Sequence, residues 1–283
     1  MKKTLLIADS GSTKTDWLFI GNDGRQTELH TSGINPARDA RDIIYNVLYH
    51  ELLPFLPQPV KIEDVHFYGA GCIEPFSQAV REAIEELFPG CAVEVESDLL
   101  GAARALCGNE PGIACILGTG SNSCLYDGKN IAMHTPPLGF ILGDEGSGSF
   151  LGKALLNGLF KGTLPAQLKE DFCKRFSLTL PDIIERTYRQ PAANAFLASL
   201  VPFIAEHRAE PAVHAMLTDA FCLFLERNIA GYGHKEMPVN CVGGIAFQFK
   251  EELTEAAAKK CMKIGKILRR PAASIAQFHT KSR

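Results

Sequence analysis

Two short stretches of this chain carry the residue types that phosphate chemistry needs. Asp9-Ser10-Gly11-Ser12-Thr13-Lys14-Thr15 closes the apolar run Leu5 to Ala8. Glycine permits positive φ and close backbone approach, so such a turn can aim several N–H groups at a phosphate. Hydroxyls and Lys14 add donors, and a carboxylate such as Asp9 can hold a hydrated Mg²⁺. An ordinary hairpin turn of the same composition stays open as the plainer account. Leu117-Gly118-Thr119-Gly120-Ser121-Asn122 repeats the pattern after a second buried run, Ile113 to Leu117, with Gly118 where the first copy has Asp9. Two related turns can cradle one polyphosphate, and the missing second carboxylate leaves room for a transferred phosphate. Neither turn has P-loop spacing, and the Rossmann fingerprint opens a helix whereas each of these leads into a strand.

Other stretches suit what would flank such a phosphate. Gly243-Gly244-Ile245-Ala246 is a third glycine turn after a strand, flat and neutral enough for an adenosine, or simply a tight strand-to-helix connection. In Gly143-Asp144-Glu145-Gly146-Ser147-Gly148, two adjacent carboxylates between glycines can accept hydrogen bonds from vicinal sugar hydroxyls; a solvated acidic loop is the alternative. Asp98 follows a strand and precedes a helix, which suits an N-cap and equally a general base projecting from a strand end. Asn35, in Gly33-Ile34-Asn35-Pro36, is either a turn residue or a substrate contact. The eight histidines show no metal-ligand spacing.

The elements that must position these residues follow from periodicity. Strands are expected at 5–8, 17–20 and 27–30, with Asn22-Asp23-Gly24 as a hairpin turn. A helix over 36–55 should turn Ile43, Ile44, Val47, Leu48 and Leu52 inward, and one over 76–88 should bury Phe76, Val80, Ala83, Ile84 and Leu87. Between and after them lie strands at 65–69 and 91–96 and a short helix at 99–107. The opening pattern then recurs: strands at 113–117, 123–126 and 130–134, with Asp127-Gly128 answering Asp23-Gly24. Such repetition argues for two similar lobes, each opening with a three-stranded meander. A mostly helical stretch over 152–232, with Ile184 among its core residues, precedes a strand at 238–246, a helix at 250–261 and a strand at 264–268.

The chain has 283 residues, 46% hydrophobic and 22% charged, which fits two domains or one domain in two lobes. A formal charge of −3 gives no overall attraction for nucleic acid. Lys259, Lys260, Lys263, Lys266, Arg269 and Arg270 read as a solvated helix face followed by a strand. Nine cysteines without a Cys-x-x-Cys pair fit a reducing cytoplasm rather than a disulfide framework or a metal site. The apolar run at Leu5 to Ala8 is shorter than the about 7–15 residues of a signal peptide, and none approaches the ~18 of a membrane span. A cytoplasmic protein without membrane or nucleic-acid partners is expected.

Taken together, these motifs resemble the BadF/BadG/BcrA/BcrD-type ATPase family and, within it, the N-acetylglucosamine kinases. The matching stretches are Asp9 to Asp16, Tyr68-Gly69-Ala70-Gly71-Cys72, Ser97-Asp98, Leu117 to Asn122, Leu142 to Gly148 and Gly243 to Ala246. They span nearly the whole chain in the family's order. The resemblance implies an α/β fold, a duplicated ribonuclease-H-like (actin/hexokinase-type ATPase) architecture of two lobes with ATP in the interlobe cleft. It places the N-terminal lobe at 1–110 and the C-terminal lobe, with a helical insertion, at 111–283, the C-terminal helix being free to pack back on the first lobe.

By the same resemblance, Asp9 orients Mg²⁺ through water. Gly11, Ser12, Thr13, Lys14, Gly118, Thr119, Gly120, Gly243 and Gly244 contact ATP. Asp98 looks like the base, and Asn35, Asp98, Ser121, Asn122, Gly139 and Asp144 look like sugar contacts. The implied activity is ATP-dependent phosphorylation of an amino sugar, N-acetylglucosamine to its 6-phosphate first, by a homodimer. An ATP-driven activator of a radical 2-hydroxyacyl-CoA dehydratase and a non-catalytic sugar or nucleotide sensor are the alternatives. Where the sugar kinases often carry Gly-Trp-Gly, this chain has Pro136-Pro137-Leu138-Gly139-Phe140. That departure, beside the acetamido pocket, leaves glucosamine and N-acetylmuramic-type sugars open.

Overall fold

The computed structural model describes residues 3–11, 13–57 and 61–281. They form two compact units. The first runs to Asn109 and takes in Gly128–Asn130 and the segment from Arg270; the second is Glu110–Asp127 with Ile131–Arg269.

The first unit is built on β1 (Leu5–Ser10), β2 (Lys14–Ile20), β3 (Gln26–Ser32), β4 (Asp64–Gly69) and β5 (Ala92–Ser97), in the order β3-β2-β1-β4-β5. β1 to β3 form an antiparallel meander, and β4 and β5 run parallel to β1. The unbroken apolar run of β1 reflects burial on both faces. On one face Leu6, Ala8, Trp17, Phe67 and Val95 meet Ile44 of α1 (Arg41–Val47), Leu48 and Leu52 of its π-helical continuation, and Val80, Ala83 and Ile84 of α2 (Ser77–Leu87). α3 (Asp98–Cys107) follows β5 directly.

Several details of the sequence reading change. The helix expected from 36 begins at Arg41, because Asn35 folds residues 36–39 into a turn: its carbonyl accepts from the amides of Arg38 and Asp39. The inward stripe is then Ile44, Leu48 and Leu52 at four-residue spacing, which leaves Ile43 exposed. Phe76 precedes the first turn of α2, and it too faces solvent, as does Ile184 in the helical stretch.

The second unit repeats the plan with β6 (Gly112–Leu117), β7 (Ser121–Tyr126) and β8 (Ile131–Thr135). Seven helices follow: α4 (Gly139–Leu142), α5 (Gly148–Lys161), α6 (Ala166–Phe176), α7 (Leu180–Tyr188), α8 (Ala193–Ala198), α9 (Val201–Glu206) and α10 (Pro211–Phe224). β9 (Val239–Val242), α11 (Gly244–Gln248), α12 (Lys250–Lys259) and β10 (Ile264–Leu268) complete it. Its sheet reads β8-β7-β6-β9-β10, the same order as the first, with β9 and β10 again parallel to the opening strand. Leu155, Phe172, Phe203, Phe221 and Phe249 anchor one apolar core across the helices. The last helix, α13 (Ala272–Lys281), packs on α3, β1 and β2 of the first unit. Two five-stranded mixed sheets of identical order make this a duplicated ribonuclease-H-like α/β fold. Among the described residues, no helix is long and apolar enough to cross a membrane.

Candidate active site

Parallel strands in open α/β sheets bring their carboxyl ends to one edge, where ligands bind. In the first unit the register aligns Ser10 of β1 with Gly69 of β4, and Gly69 with Ser97 of β5. Gly11, Ala70 and Asp98 therefore begin the next position along that edge, and Asp9, Tyr68 and Glu96 form the row just inside it. Gly11 N donates to Lys14 O at 3.0 Å where β1 turns into β2. Ser12 lies outside the described residues; Thr13 O accepts from Gly33 N at 3.2 Å. Buried Ser10 shares a 2.7 Å hydrogen bond with Thr15 Oγ1 and donates to Ile34 O at 2.9 Å, tying the hairpin to the segment that carries Asn35. Asn35 Oδ1 accepts from Ala37 N at 3.1 Å. A Cβ on Gly71, at φ +78°, would lie 2.1 Å from that same Oδ1, so glycine is what lets the turn after β4 pass beside Asn35.

Asp98 is the first residue of α3 rather than its cap. Ser97 takes the cap, its Oγ accepting from Leu100 N at 3.2 Å. Burial pushes the Asp98 carboxyl up to about 6, opposed by the amides of Leu99 and Asp98 itself. Burial, with the charges of Asp98 and Asp16 adding and Lys14 opposing, pushes Asp9 up to about 7. Asp16 stands opposite Asp9 in the β1–β2 ladder. Burial would raise it as well, but Lys14 at 2.8 Å, Arg270 at 3.8 Å and His30 at 2.8 Å hold it below the usual carboxylate range. Lys14 is thus positioned by Asp16. Like charges crowded around Asp9 make it a fitting ligand for a divalent cation, which would offset the excess negative charge.

In the second unit, three glycine-rich segments converge at the carboxyl end of β6. Gly118 N donates to Gly120 O at 3.0 Å, and the start of α5 returns to this turn, Gly148 N to Gly118 O at 2.8 Å and Ser149 N to Thr119 O at 3.0 Å. A Cβ on Gly243, at φ +125°, would sit 2.2 Å from Leu117 O, whereas one on Gly244 would meet nothing within 4 Å. Asp144 closes on the same turn: Ser121 N donates to its Oδ1 at 3.2 Å, and a Cβ on Gly120 would come within 3.0 Å of its Oδ2. Burial raises the Asp144 carboxyl, with Ser121 N and Lys153 opposing and Glu145 adding. Ser121 Oγ is buried without a hydrogen-bond partner among the described residues. Asn122 Oδ1 accepts from Ser123 N at 3.0 Å and lies 2.9 Å from His134 Nε2. Glu145, the neighbour of Asp144, is instead a tether, accepting from Arg227 at 2.9 Å and Asn228 at 3.3 Å.

The structure thus gathers Asp9, Gly11, Thr13, Lys14, Asn35 and Asp98 at one edge of the first sheet. Gly118, Thr119, Gly120, Ser121, Asn122, Asp144, Gly243 and Gly244 gather at the corresponding edge of the second. Gly139 opens the short helix α4 next to Asp144: its carbonyl accepts from Gly143 N at 2.8 Å and Asp144 N donates to Pro137 O at 3.0 Å, while Ile141 and Leu142 face solvent. Ser10 and Asp16 are the residues that motif reading passed over. Both sit inside the first glycine motif, and the signal for Asp16 was its charge two positions from Lys14.

No protein-family model matches the chain, and no curated protein does. Among solved structures, a Porphyromonas gingivalis protein described as "Putative N-acetylglucosamine Kinase" is 45% identical, with 98% of this chain and 99% of that chain covered and a TM-score of 0.95. A protein of the same description from Chromobacterium violaceum is 18% identical over 98% of both chains, with a TM-score of 0.74. The ethanolamine utilization protein EutJ from Carboxydothermus hydrogenoformans is 12% identical, with 98% and 91% covered and a TM-score of 0.57. The last two share the fold. At 45% identity over nearly all of both sequences, this chain belongs to the same family as the Porphyromonas gingivalis protein.

Proposed function

We propose that this chain is an ATP-dependent kinase that phosphorylates an amino sugar, N-acetylglucosamine first, on O6. The observation that carries the reading is Asp98, placed at the carboxyl edge beside Asp9, with its capping role taken by Ser97. A carboxyl poised at about 6 is ionised at neutral pH yet basic enough to take a hydroxyl proton. As the sugar oxygen attacks the γ-phosphorus, the O–P bond forms, the bond to ADP breaks and the proton passes to Asp98. The phosphoryl transition state is loose, so positioning and electrostatics dominate. Mg²⁺, held near Asp9 through water, would supply positive charge to the phosphate oxygens. The amides of the turn at Gly11 and Thr13, with Lys14, serve phosphate in the first unit, as Gly118, Thr119 and Gly120 do in the second. Gly244, open on its Cβ side, and Gly243 suit the adenosine. Asn35, Ser121, Asn122 and Asp144 supply donors and acceptors to sugar hydroxyls, and Gly139 with its apolar neighbours faces the substituent on C2.

The branch of the BadF/BadG/BcrA/BcrD-type ATPases, a homodimeric assembly and a cytoplasmic setting belong to the same proposal. The activator reading draws no support from the cysteines, of which Cys72, Cys115, Cys124 and Cys241 are buried. The test is ADP release with Mg-ATP against N-acetylglucosamine, glucosamine, N-acetylmuramic acid, N-acetylmannosamine and glucose, with the product's phosphorylated position read by NMR. A strong response to one amino sugar with phosphate on O6 supports the reading. Sugar-independent hydrolysis alone overturns it.

A further inference from the structure

The face of the first sheet that carries Asp9 continues away from the carboxyl edge into a second polar cluster. One same-face row behind Asp9, Tyr68 and Glu96, the ladder pairs Ile7 with His66 and His66 with Glu94. Glu94 Oε2 lies 2.5 Å from His66 Nδ1 and 4.0 Å from His279 Nε2, which arrives from α13. The two imidazoles are stacked, with centroids 3.6 Å apart and planes 22° from parallel, and both are nearly enclosed. One ligand atom from each of His66, Glu94 and His279 falls within 4.8 Å of the others, the only such group among the described residues.

We propose that His66, Glu94 and His279 form a binding site for a divalent transition-metal ion of the zinc class, distinct from the Mg²⁺ of phosphate transfer, which fastens α13 to the sheet. Two imidazoles and one carboxylate are the donor set such ions prefer, with a fourth position left to water. Tetrahedral zinc, with bonds of about 2.0–2.2 Å, draws its ligand atoms to roughly 3.4 Å apart, so side-chain movements of about 1 Å complete the site.

Two further features agree. His66 Nε2 is buried and has no hydrogen-bond partner among the described residues, a cost expected of a ring whose role is not only to bond protein. The ligands are also held from behind. Arg104 donates to Glu94 Oε1 at 2.7 Å, leaving Oε2 for the ion, and donates to Tyr68 OH at 2.6 Å. Tyr68 OH in turn shares a 2.7 Å hydrogen bond with His279 Nε2, a bond the ion would displace. The Arg104 charge offsets that of Glu94, so the site binds more weakly than an all-anionic one.

The experiment is equilibrium dialysis of the full, reduced chain against Zn²⁺, with Co²⁺ absorption in parallel. One ion per chain is expected in the wild type, lost in both His66→Gln and His279→Gln while their circular dichroism stays native. Zinc should raise the wild-type melting temperature and leave that of His279→Gln unmoved. Binding should weaken in acid, where protons compete with the ion for its ligands. No stoichiometric ion, an ion retained by both variants, or a sulfur-to-cobalt charge-transfer band pointing to the cysteines would each overturn the site.

Discussion

Replacing Asp98 with Asn should slow the enzyme and stabilise it at once. The carboxyl is raised from 3.8 to about 6, a difference of about two units. At 1.36 kcal/mol per unit, its ionisation opposes folding by at most about 3 kcal/mol. The sign follows from linkage: the native state holds this proton more tightly than the unfolded chain does. The penalty is therefore absent below pH ~3.8, grows as pH rises and is complete above about 6. Asn carries no charge, so the variant should gain stability over wild type at pH 8 and progressively less toward pH 4. Removing this charge also lowers the Asp9 carboxyl, which Asp98 helps to raise. Loss of the base should meanwhile cost about 10²–10⁴ in kcat with the sugar KM largely kept. Urea unfolding at pH 5 and 8, beside a coupled ADP assay at saturating sugar, reads both effects. Wild-type kcat/KM should fall on the acid side with apparent values that belong to the Asp9–Asp98 pair. Near-normal turnover in the Asn variant, or a variant no more stable than wild type at pH 8, would refute the reasoning.

Asp144→Ala removes the acceptor of Ser121 N and should raise the sugar KM at least tenfold while leaving ATP affinity within twofold, by isothermal calorimetry of each ligand. Gly243→Ala forces a Cβ to within 2.2 Å of Leu117 O at φ +125°, so it should cost several kcal/mol, read as a lower urea midpoint, or yield no soluble protein. Asp16→Asn should act oppositely to Asp98→Asn in its pH dependence. A carboxyl held low by Lys14, Arg270 and His30 stabilises above its unfolded value and loses that contribution as pH falls, so the variant's deficit should be largest near neutrality and vanish in acid. Thermal melts at pH 7 and 3 check it.

Much of the site was legible because it is local. A glycine turn with hydroxyls, a lysine and a carboxylate is defined within seven residues, and its repetition at Gly118 to Ser121 announced the duplicated architecture before any strand pairing was known. The alternatives that stayed open were settled by neighbours that spacing cannot supply. Whether Asp98 capped α3 depended on Ser97, one residue away but turned so that its own Oγ reached Leu100 N. Whether Asp144 and Glu145 lay in a solvated acidic loop depended on partners elsewhere: both are buried, Asp144 accepting from Ser121 N and Glu145 from Arg227 and Asn228, 82 and 83 residues further on.

The sequence by itself determined the elements and the turns, because apolar periodicity and glycine's freedom at positive φ act over a few residues. Only the tertiary structure decided the order of the strands, the alignment of Ser10, Gly69 and Ser97 that sets Asp98 beside Asp9, and the stacking of His66 on His279. Tyr68 and His279, which share a hydrogen bond, stand 211 residues apart in the chain. Eight histidines without metal-ligand spacing gave no sign of that meeting. The reason is physical: pairing between distant segments is set by which buried faces fit together once the whole core forms, and no local pattern of residues encodes that fit.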